Sequence, residues 1–296
     1  KAKNYTIDMC EGSILNKLLL FSLPLIASSV LQLFFNAADV IVVGKFAGDH
    51  ALAAVGSNGS IINLLTNVFM GLSVGANVLV ARYFAAKQER DLRKTVHTAM
   101  TVSVICGTFL AIMGALAAKQ VLTLMQSPPE VIELSTLYLR IYFLGMPAMM
   151  LYNFGSAILR AIGDTRRPLY YLMAAGVLNV VLNLLFVIIF KMSVAGVALA
   201  TVISQFLSAS WSLYFLLSKK TEIRISLKGF CPDFTCIAQI ISLGISSFVM
   251  SATNSLVQIL CNNLNNQLYM QGVHQFQNIF LFHHHFLILH FECTIK

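Results

Sequence analysis

Seven long apolar runs, almost free of charge, constrain this 296-residue chain more than any other feature. A helix needs about 20 apolar residues to cross the ~30 Å hydrocarbon core of a bilayer. A membrane strand would instead alternate over about 10 residues, and these runs are longer and continuous. The pattern therefore predicts an all-α membrane protein, because a helix satisfies its own backbone hydrogen bonds in lipid. The predicted spans are residues 18–43, 51–81, 95–118, 134–159, 168–190, 192–218 and 235–261.

The composition excludes most other classes of protein. Hydrophobic residues make up 57% of the chain and charged residues only 11%, whereas a soluble domain carries about 25% charged residues. A cytosolic enzyme, a disordered protein and a nucleic-acid binder are therefore excluded, despite the net charge of +8. The six cysteines are scattered, so we expect inert thiols rather than a disulfide or zinc framework. We expect no metal site and no cofactor.

The basic residues are distributed unevenly between the two sides of the predicted spans. Fifteen Lys or Arg residues lie before span 1 or in the loops 82–94, 160–167 and 219–233, against three on the other side. Loops rich in Lys and Arg face the cytoplasm. The sequence therefore predicts a multi-pass plasma-membrane protein with a cytoplasmic N-terminus, with a secondary attraction to anionic lipid.

The order of the spans predicts half of a two-lobed transporter, since many such folds repeat a helical unit. Twelve helices at this spacing would need more residues than the chain has, so we expect a truncated second lobe. The tail holds five of the seven histidines, and it indicates a frameshift or an unusual authentic end rather than a metal site. The predicted segments are a cytoplasmic N-terminal segment (1–17), a six-helix lobe (18–218), a cytoplasmic linker (219–234), the first helix of the second lobe (235–261) and an atypical tail (262–296).

Asp39 is the most informative residue, because it is the one acidic side chain inside the first six spans. A carboxylate at membrane depth is costly and marks a functional site by default. The alternative is an interfacial residue that caps the loop at Gly44. Asn179 and Asn183, at i and i+4 in span 5, share one helix face, and Thr201 lies at mid-depth in span 6. These three side chains either join helices by hydrogen bonds or complete a polar pocket around Asp39.

Other features have structural explanations. Arg140 lies near the outer end of span 4, where snorkelling or pairing with Glu130 or Glu133 would accommodate it. The motif Gly71-x-x-x-Gly75 predicts close helix packing. Two prolines, Pro24 and Pro147, predict bends in spans 1 and 4. In the turn 159–168, Gly163 is suited to a helix end, Asp164 or Thr165 to a cap, and Pro168 to the next helix start.

Several segments of the chain carry a family resemblance: Glu11-Gly-Ser, Pro24, Phe35-Asn-Ala-Ala-Asp-Val-Ile-Val-Val-Gly44, Ala51-Leu-Ala-Ala-Val-Gly56, Leu159-Arg-Ala-Ile-Gly-Asp-Thr165 with Pro168, and Ala195-Gly-Val-Ala-Leu-Ala-Thr-Val-Ile-Ser204. Together these motifs resemble the multidrug and toxic compound extrusion (MATE) family over about residues 9–261. The resemblance implies an antiporter with two six-helix lobes that exports organic, often cationic, compounds against inward proton or sodium flow. It also implies that Asp39 binds the coupling cation with Asn179, Asn183 and Thr201, although some members carry an acid at the position of Asn183.

The expected partners are a small organic substrate and the lipid bilayer, without nucleic acid, and the sequence leaves the oligomeric state open. Three alternatives stay open as well. A lipid-linked oligosaccharide flippase of the same superfamily would favour several basic residues in its cavity, whereas only Arg140 lies in a span. A membrane-embedded enzyme would need convergent ionisable groups, and Asp39 has none at its depth. The third alternative is an inactive fragment.

Overall fold

The computed structural model describes residues 14–124, 129–218 and 233–270, and these residues form helices without strands. The predicted all-α membrane fold is confirmed. The predicted N-terminal segment and most of the linker and tail lie outside the described residues. The helices are α1 (Ile14–Phe46), α2 (Asp49–Ala85), α3 (Glu89–Leu124), α4 (Pro129–Leu144), α5 (Met146–Ala161), α6 (Arg166–Leu184), α7 (Ser193–Leu217) and α8 (Phe234–Met270).

Most of the described helices are long and apolar enough to cross a membrane. Five pass this test singly, and α4 with α5 passes it as a sixth, bent span. In α2 the apolar segment among the described residues is Phe69–Ala85. Large apolar side chains lie exposed along the helices, for example Leu33, Phe109 and Leu116, as expected where lipid replaces water as the solvent.

The predicted span over residues 134–159 is bent and consists of two helices in the structure. The chain bends by 48° between α4 and α5, and Gly145 separates the two helices. Pro147 lies in the first turn of α5, where its missing N–H costs nothing. The bend predicted from Pro147 is therefore confirmed. A Cβ at Gly145 would lie 2.8 Å from the Val202 side chain, so α7 packs closely against the bend.

The predicted end of span 5 at residue 190 agrees with the structure, whereas the predicted end of span 7 differs. A π-helical turn, Leu185–Ile189, extends α6, with the Phe190 N–H donating to the Leu185 carbonyl. The last helix, α8, continues to Met270, past the predicted end at Cys261. Residues before and after Ala252 belong to separate compact units, and all packing described below lies within the first of them.

The helices enclose two apolar clusters at different depths. The first lies toward the end of α1 and the start of α2, and the second toward the end of α2 and the start of α3. Helix α5 contributes to both, with Met146 and Met150 in the first cluster and Phe154 and Ile158 in the second. This arrangement holds α5 at the centre of the lobe, against α2, α3 and α7.

The glycine motif of α2 packs against α8, as predicted. A Cβ at Gly71 would lie 2.6 Å from the Phe248 backbone, and one at Gly75 would overlap the Ile240 carbonyl. A Cβ at Gly244 would in turn lie 2.9 Å from the Gly71 carbonyl. Only residues without a Cβ allow the two backbones to come this close.

The turn between α5 and α6 uses Asp164, not Thr165, as its cap. The Arg167 N–H donates to Asp164 Oδ1 at 3.2 Å, whereas the Thr165 side chain makes no capping hydrogen bond. Gly163 adopts φ +85°, a left-handed conformation that favours glycine after a helix end. Asp164 therefore fixes the start of α6, the helix that carries Asn179 and Asn183.

Candidate functional site

Asp39 lies inside α1 rather than at its end. The helix continues through Gly44 to Phe46, so the interpretation of Asp39 as a cap for a loop at Gly44 is wrong. Its side chain is half-buried and accepts a hydrogen bond at Oδ1 from Asn183 Nδ2. Asp39 is therefore a polar residue within the helical lobe, and its hydrogen-bond partner comes from another helix.

The four residues singled out from the sequence form one continuous chain of hydrogen bonds across three helices. Asn183 Nδ2 also donates to Asn179 Oδ1 at 3.3 Å. Asn179 Nδ2 donates to Thr201 Oγ1 at 3.2 Å, and the Thr201 hydroxyl donates to the Val197 carbonyl at 3.0 Å. We call Asp39, Asn183, Asn179 and Thr201 the polar chain.

Close helix packing brings α1 to the polar chain. Gly176 is buried on α6, and a Cβ there would overlap the Phe35 ring. Phe35 and Asp39 are four residues apart on α1, and Gly176 and Asn183 are seven apart on α6, so each pair shares a helix face. The missing side chain at Gly176 thus lets α1 approach α6 closely enough for Asp39 to meet Asn183.

The site is rich in oxygen atoms and has no paired cation. Among the described residues no Lys, Arg or His lies within ion-pair distance of Asp39. Asn183 is fully buried, and its Oδ1 has no hydrogen-bond partner. An ionised carboxylate beside an unpartnered carbonyl oxygen suits a proton or a hard cation such as Na⁺, because such ions prefer oxygen ligands.

Two tyrosines near Asp39 were missed from the sequence. Tyr138 and Tyr142 stack on α4 with ring centroids 6.0 Å apart, and the charge of Asp39 reaches both phenols. The available signal was their i, i+4 spacing in an apolar span. That spacing places both rings on one helix face, but it cannot reveal that this face turns toward α1.

The remaining charged candidate in the spans lies apart from the site. Arg140 is exposed on α4, and among the described residues it forms no ion pair with Glu130 or Glu133. Snorkelling therefore accounts for it better than pairing. Within the described residues there is also no group of three His, Cys, Asp or Glu side chains that could hold a metal ion.

The helical lobe with its polar site defines an all-α, multi-pass membrane protein. The MatE family profile matches residues 24–185, more than half of the chain. The chain therefore belongs to the MATE family.

Several known proteins are similar to this chain. YpnP of Bacillus subtilis strain 168, a probable multidrug resistance protein, is 30% identical over 72% of this chain and 48% of its own length. YoeA of the same strain, also a probable multidrug resistance protein, is 34% identical over 72% and 47%. A MATE crystal structure in the bent conformation has a TM-score of 0.79 and 26% identity over 85% of this chain and 56% of its own. The chain spans about half the length of the curated relatives it matches.

Proposed function

We propose that this chain forms the cation-coupling lobe of an antiporter that exports organic, preferentially cationic, compounds by alternating access. Protons or sodium ions entering the cell drive the export. The observation that carries the proposal is the polar chain, in which the amides of Asn183 and Asn179 link Asp39 to the Thr201 hydroxyl of α7. Among the described residues no basic side chain pairs with Asp39. The similarity to two probable multidrug resistance proteins supports the same function.

The mechanism uses the hydrogen bond between Asp39 and Asn183. An uncompensated carboxylate in a lipid-facing lobe is unfavourable, so protonation or cation binding neutralises it and lowers that penalty. Neutralisation also changes how strongly Asp39 holds Asn183, and with it the packing of α1 on α6. A transporter needs such a ligand-dependent bias between two packings, and the cation would supply it here.

The decisive experiment compares Asp39→Asn with the matched control Asp49→Asn. Both remove one carboxylate near the same end of the lobe, but Asp49 is exposed at the start of α2. Dye efflux would be measured in energised vesicles, with each variant in a chain completed by the second half of a relative such as YoeA. We expect Asp39→Asn to insert normally and lose ion-driven efflux, and Asp49→Asn to retain it. Wild-type efflux in Asp39→Asn at equal expression would refute the proposal.

A second variant identifies the coupling ion. Asn183→Asp places a second titrating group beside Asp39, and two interacting carboxylates titrate as a pair. We expect efflux to persist with a changed dependence on pH if protons couple transport, or on sodium concentration if Na⁺ does. If efflux in this variant depended on pH and on sodium concentration as it does in the wild type, Asn183 would lie outside the coupling site.

The orientation is part of the proposal. The excess of basic residues predicts that the N-terminus and the 219–233 loop face the cytoplasm. Cys10 and Cys231 lie in these segments, outside the described residues. We expect a membrane-impermeant thiol reagent to label both in inside-out vesicles and neither in intact cells. Labelling from outside intact cells would reverse the orientation.

A further inference from the structure

Gln205 lies on α7 one turn beyond Thr201, the last residue of the polar chain. Thr201 and Gln205 are four residues apart in one helix and therefore share a face. The Gln205 side chain is half-buried. A Cβ at Gly145 would lie 3.0 Å from Gln205 Oε1. The Gln205 amide therefore packs directly against the residue that separates α4 from α5.

The Tyr142 phenol, in the last turn of α4, also lies beside Gln205. The two side chains are within hydrogen-bonding range of each other. The Tyr142 hydroxyl lies 4.0 Å from the Met149 sulfur, on the other side of the bend. A phenol has a single hydrogen to donate, and a thioether sulfur is a weak acceptor. The Gln205 amide oxygen is therefore the stronger of these two acceptors.

The same phenol lies in the electric field of Asp39. The charge of Asp39 acts on Tyr142, and among the described residues no basic side chain pairs with Asp39 to cancel it. Hydroxyl dipoles orient in the field of nearby charges. An ionised Asp39 draws the phenol hydrogen toward itself, whereas a neutral Asp39 leaves that hydrogen to the Gln205 amide oxygen. The charge of Asp39 thus sets the strength of the contact between Tyr142 and Gln205.

The bend is a place where side-chain contacts influence backbone geometry. Pro147 supplies no N–H to the backbone there, and the Gly145 N–H donates to the Tyr142 carbonyl at 3.0 Å. Two side chains of α7, Val202 and Gln205, lie against Gly145. The apolar Val202 side chain is indifferent to nearby charge, whereas the amide of Gln205 responds to it. Gln205 is therefore the contact through which a polar change in the lobe reaches the bend.

We infer that Gln205 is a positioning residue that connects the polar chain to the bend at Gly145, so that neutralisation of Asp39 tightens the packing of α4 on α5. Two routes from Asp39 meet at Gln205. One follows the hydrogen bonds of the polar chain to Thr201 on the same face of α7, and the other is the field of Asp39 at Tyr142. Coupling between sites requires such a connected network and an element with two arrangements. This inference rests on the proposed role of Asp39 in cation coupling.

The test measures amide hydrogen exchange in residues 141–151, which contain the bend, in the purified chain in detergent micelles. Asp39→Asn serves as a permanently neutral form of the acid. We expect Asp39→Asn to slow exchange at the bend about threefold, as expected for the gain of one net hydrogen bond. In a Gln205→Met background the same substitution should leave exchange at the bend unchanged. Methionine keeps the length of the side chain but removes the amide.

Matched variants separate this connection from a general change in the stability of the lobe. Gln239→Met removes another amide that faces a tyrosine, because the Tyr83 hydroxyl donates to Gln239 Oε1 at 3.3 Å. The effect of Asp39→Asn at the bend should persist in the Gln239→Met background. Tyr142→Phe removes the phenol hydrogen and keeps the ring, so it should abolish the effect as Gln205→Met does. This variant tests the connection even if Gln205→Met fails to fold.

The remaining outcomes distinguish this inference from the proposed transport function. An effect of Asp39→Asn that is equal in the wild-type and Gln205→Met backgrounds would overturn the inference. Unchanged or faster exchange at the bend in Asp39→Asn alone would overturn it too, as would loss of the effect in the Gln239→Met background. Wild-type ion-driven efflux in Asp39→Asn would instead refute the coupling role of Asp39, whatever the exchange at the bend.

Discussion

Two carboxylates among the described residues of the lobe, Asp164 and Asp39, differ in burial and in their partners. Asp164 lies in the turn between α5 and α6, fully buried, and the guanidinium of Arg167 neutralises it. Asp39 lies inside α1, half-buried, and its hydrogen-bond donor is the neutral amide of Asn183. The first carboxylate has a permanent counter-charge and the second has none.

This difference separates a structural acid from one that can change its charge state. A carboxylate held by an arginine and a backbone N–H belongs to a fixed ion pair, because its removal leaves the arginine uncompensated. A carboxylate held only by an amide can gain a proton or a cation without leaving another charge exposed. The same residue type therefore fixes a turn at one end of the lobe and supplies a candidate switch at the other.

The strongest test of this difference between Asp164 and Asp39 is to make the same substitution at both sites. Asp164→Asn leaves the Arg167 guanidinium without its partner, and we expect it to lower the free energy of unfolding by about 3–5 kcal/mol. Asp39→Asn removes an unpaired charge and should change the free energy of unfolding by less than about 1 kcal/mol. Denaturant unfolding in detergent micelles measures both. Equal losses would show that Asp39 is as structural as Asp164.

A glycine substitution tests whether close packing holds Asp39 against its partner. Gly176→Ala places a methyl group into the Phe35 ring, so we expect a loss of about 1–3 kcal/mol in the free energy of unfolding. The smaller side chain of leucine should restore part of the lost stability in the double variant Gly176→Ala, Phe35→Leu. Gly59→Ala is the control, because no atom lies within 4 Å of its added Cβ. A loss in Gly59→Ala equal to that in Gly176→Ala would contradict the packing argument.

The smallest effect is expected at a third acid, which lies at the surface end of α8. Asp233 pairs with Lys94, and its Oδ1 accepts hydrogen bonds from the N–H groups of Thr235 at 2.7 Å and Cys236 at 3.3 Å. Asp233→Ala removes the acceptor of both N–H groups, so it should expose the start of α8 and increase amide hydrogen exchange at Cys236 about threefold. Thr235→Ala, which alters a neighbouring side chain outside this cap, serves as the control. Unchanged exchange in Asp233→Ala would show that the cap does not hold the helix start.

The pH dependence of this cap follows from its ion pair. The hydrogen bond from Lys94 lowers the pKa of Asp233 from its ordinary value of 3.8 to about 2. A carboxyl whose pKa is lower in the folded state stabilises that state above the unfolded pKa. We therefore expect protection at Cys236 to be complete above about pH 4 and to be lost as the pH falls toward 2. Protection that rises on acidification would contradict this assignment.

The sequence predicted the helices and their polar residues well, because membrane helices impose long, simple patterns. Asp39, Asn179, Asn183 and Thr201 stood out because a polar side chain is rare in such a span. Their mutual hydrogen bonds depended on the helix period of 3.6 residues and on packing between helices. The helix period is visible in a sequence, whereas the packing between helices is not.

The features that were missed depend on tertiary contacts. The bend was predicted from Pro147, but not its position at Gly145, where a Cβ would lie 2.8 Å from the Val202 side chain of α7. No local pattern records that contact. The surroundings of Tyr138 and Tyr142 become visible only once α4 is packed into the lobe. Sequence patterns indicate which residues are polar, whereas the structure shows which of them are already satisfied.

The hydrogen bond between Asn183 and Asp39 also has a consequence for biosynthesis, because its two residues are 144 positions apart. At a synthesis rate of about 5–20 residues per second, Asn183 is made on the order of 10 seconds after Asp39. The nascent first helix must therefore enter the membrane with its carboxylate bound to water, to a proton or to the insertion machinery. The hydrogen bond to Asp39 can form only after α6 has been synthesised. The lobe therefore reaches its final packing late in translation.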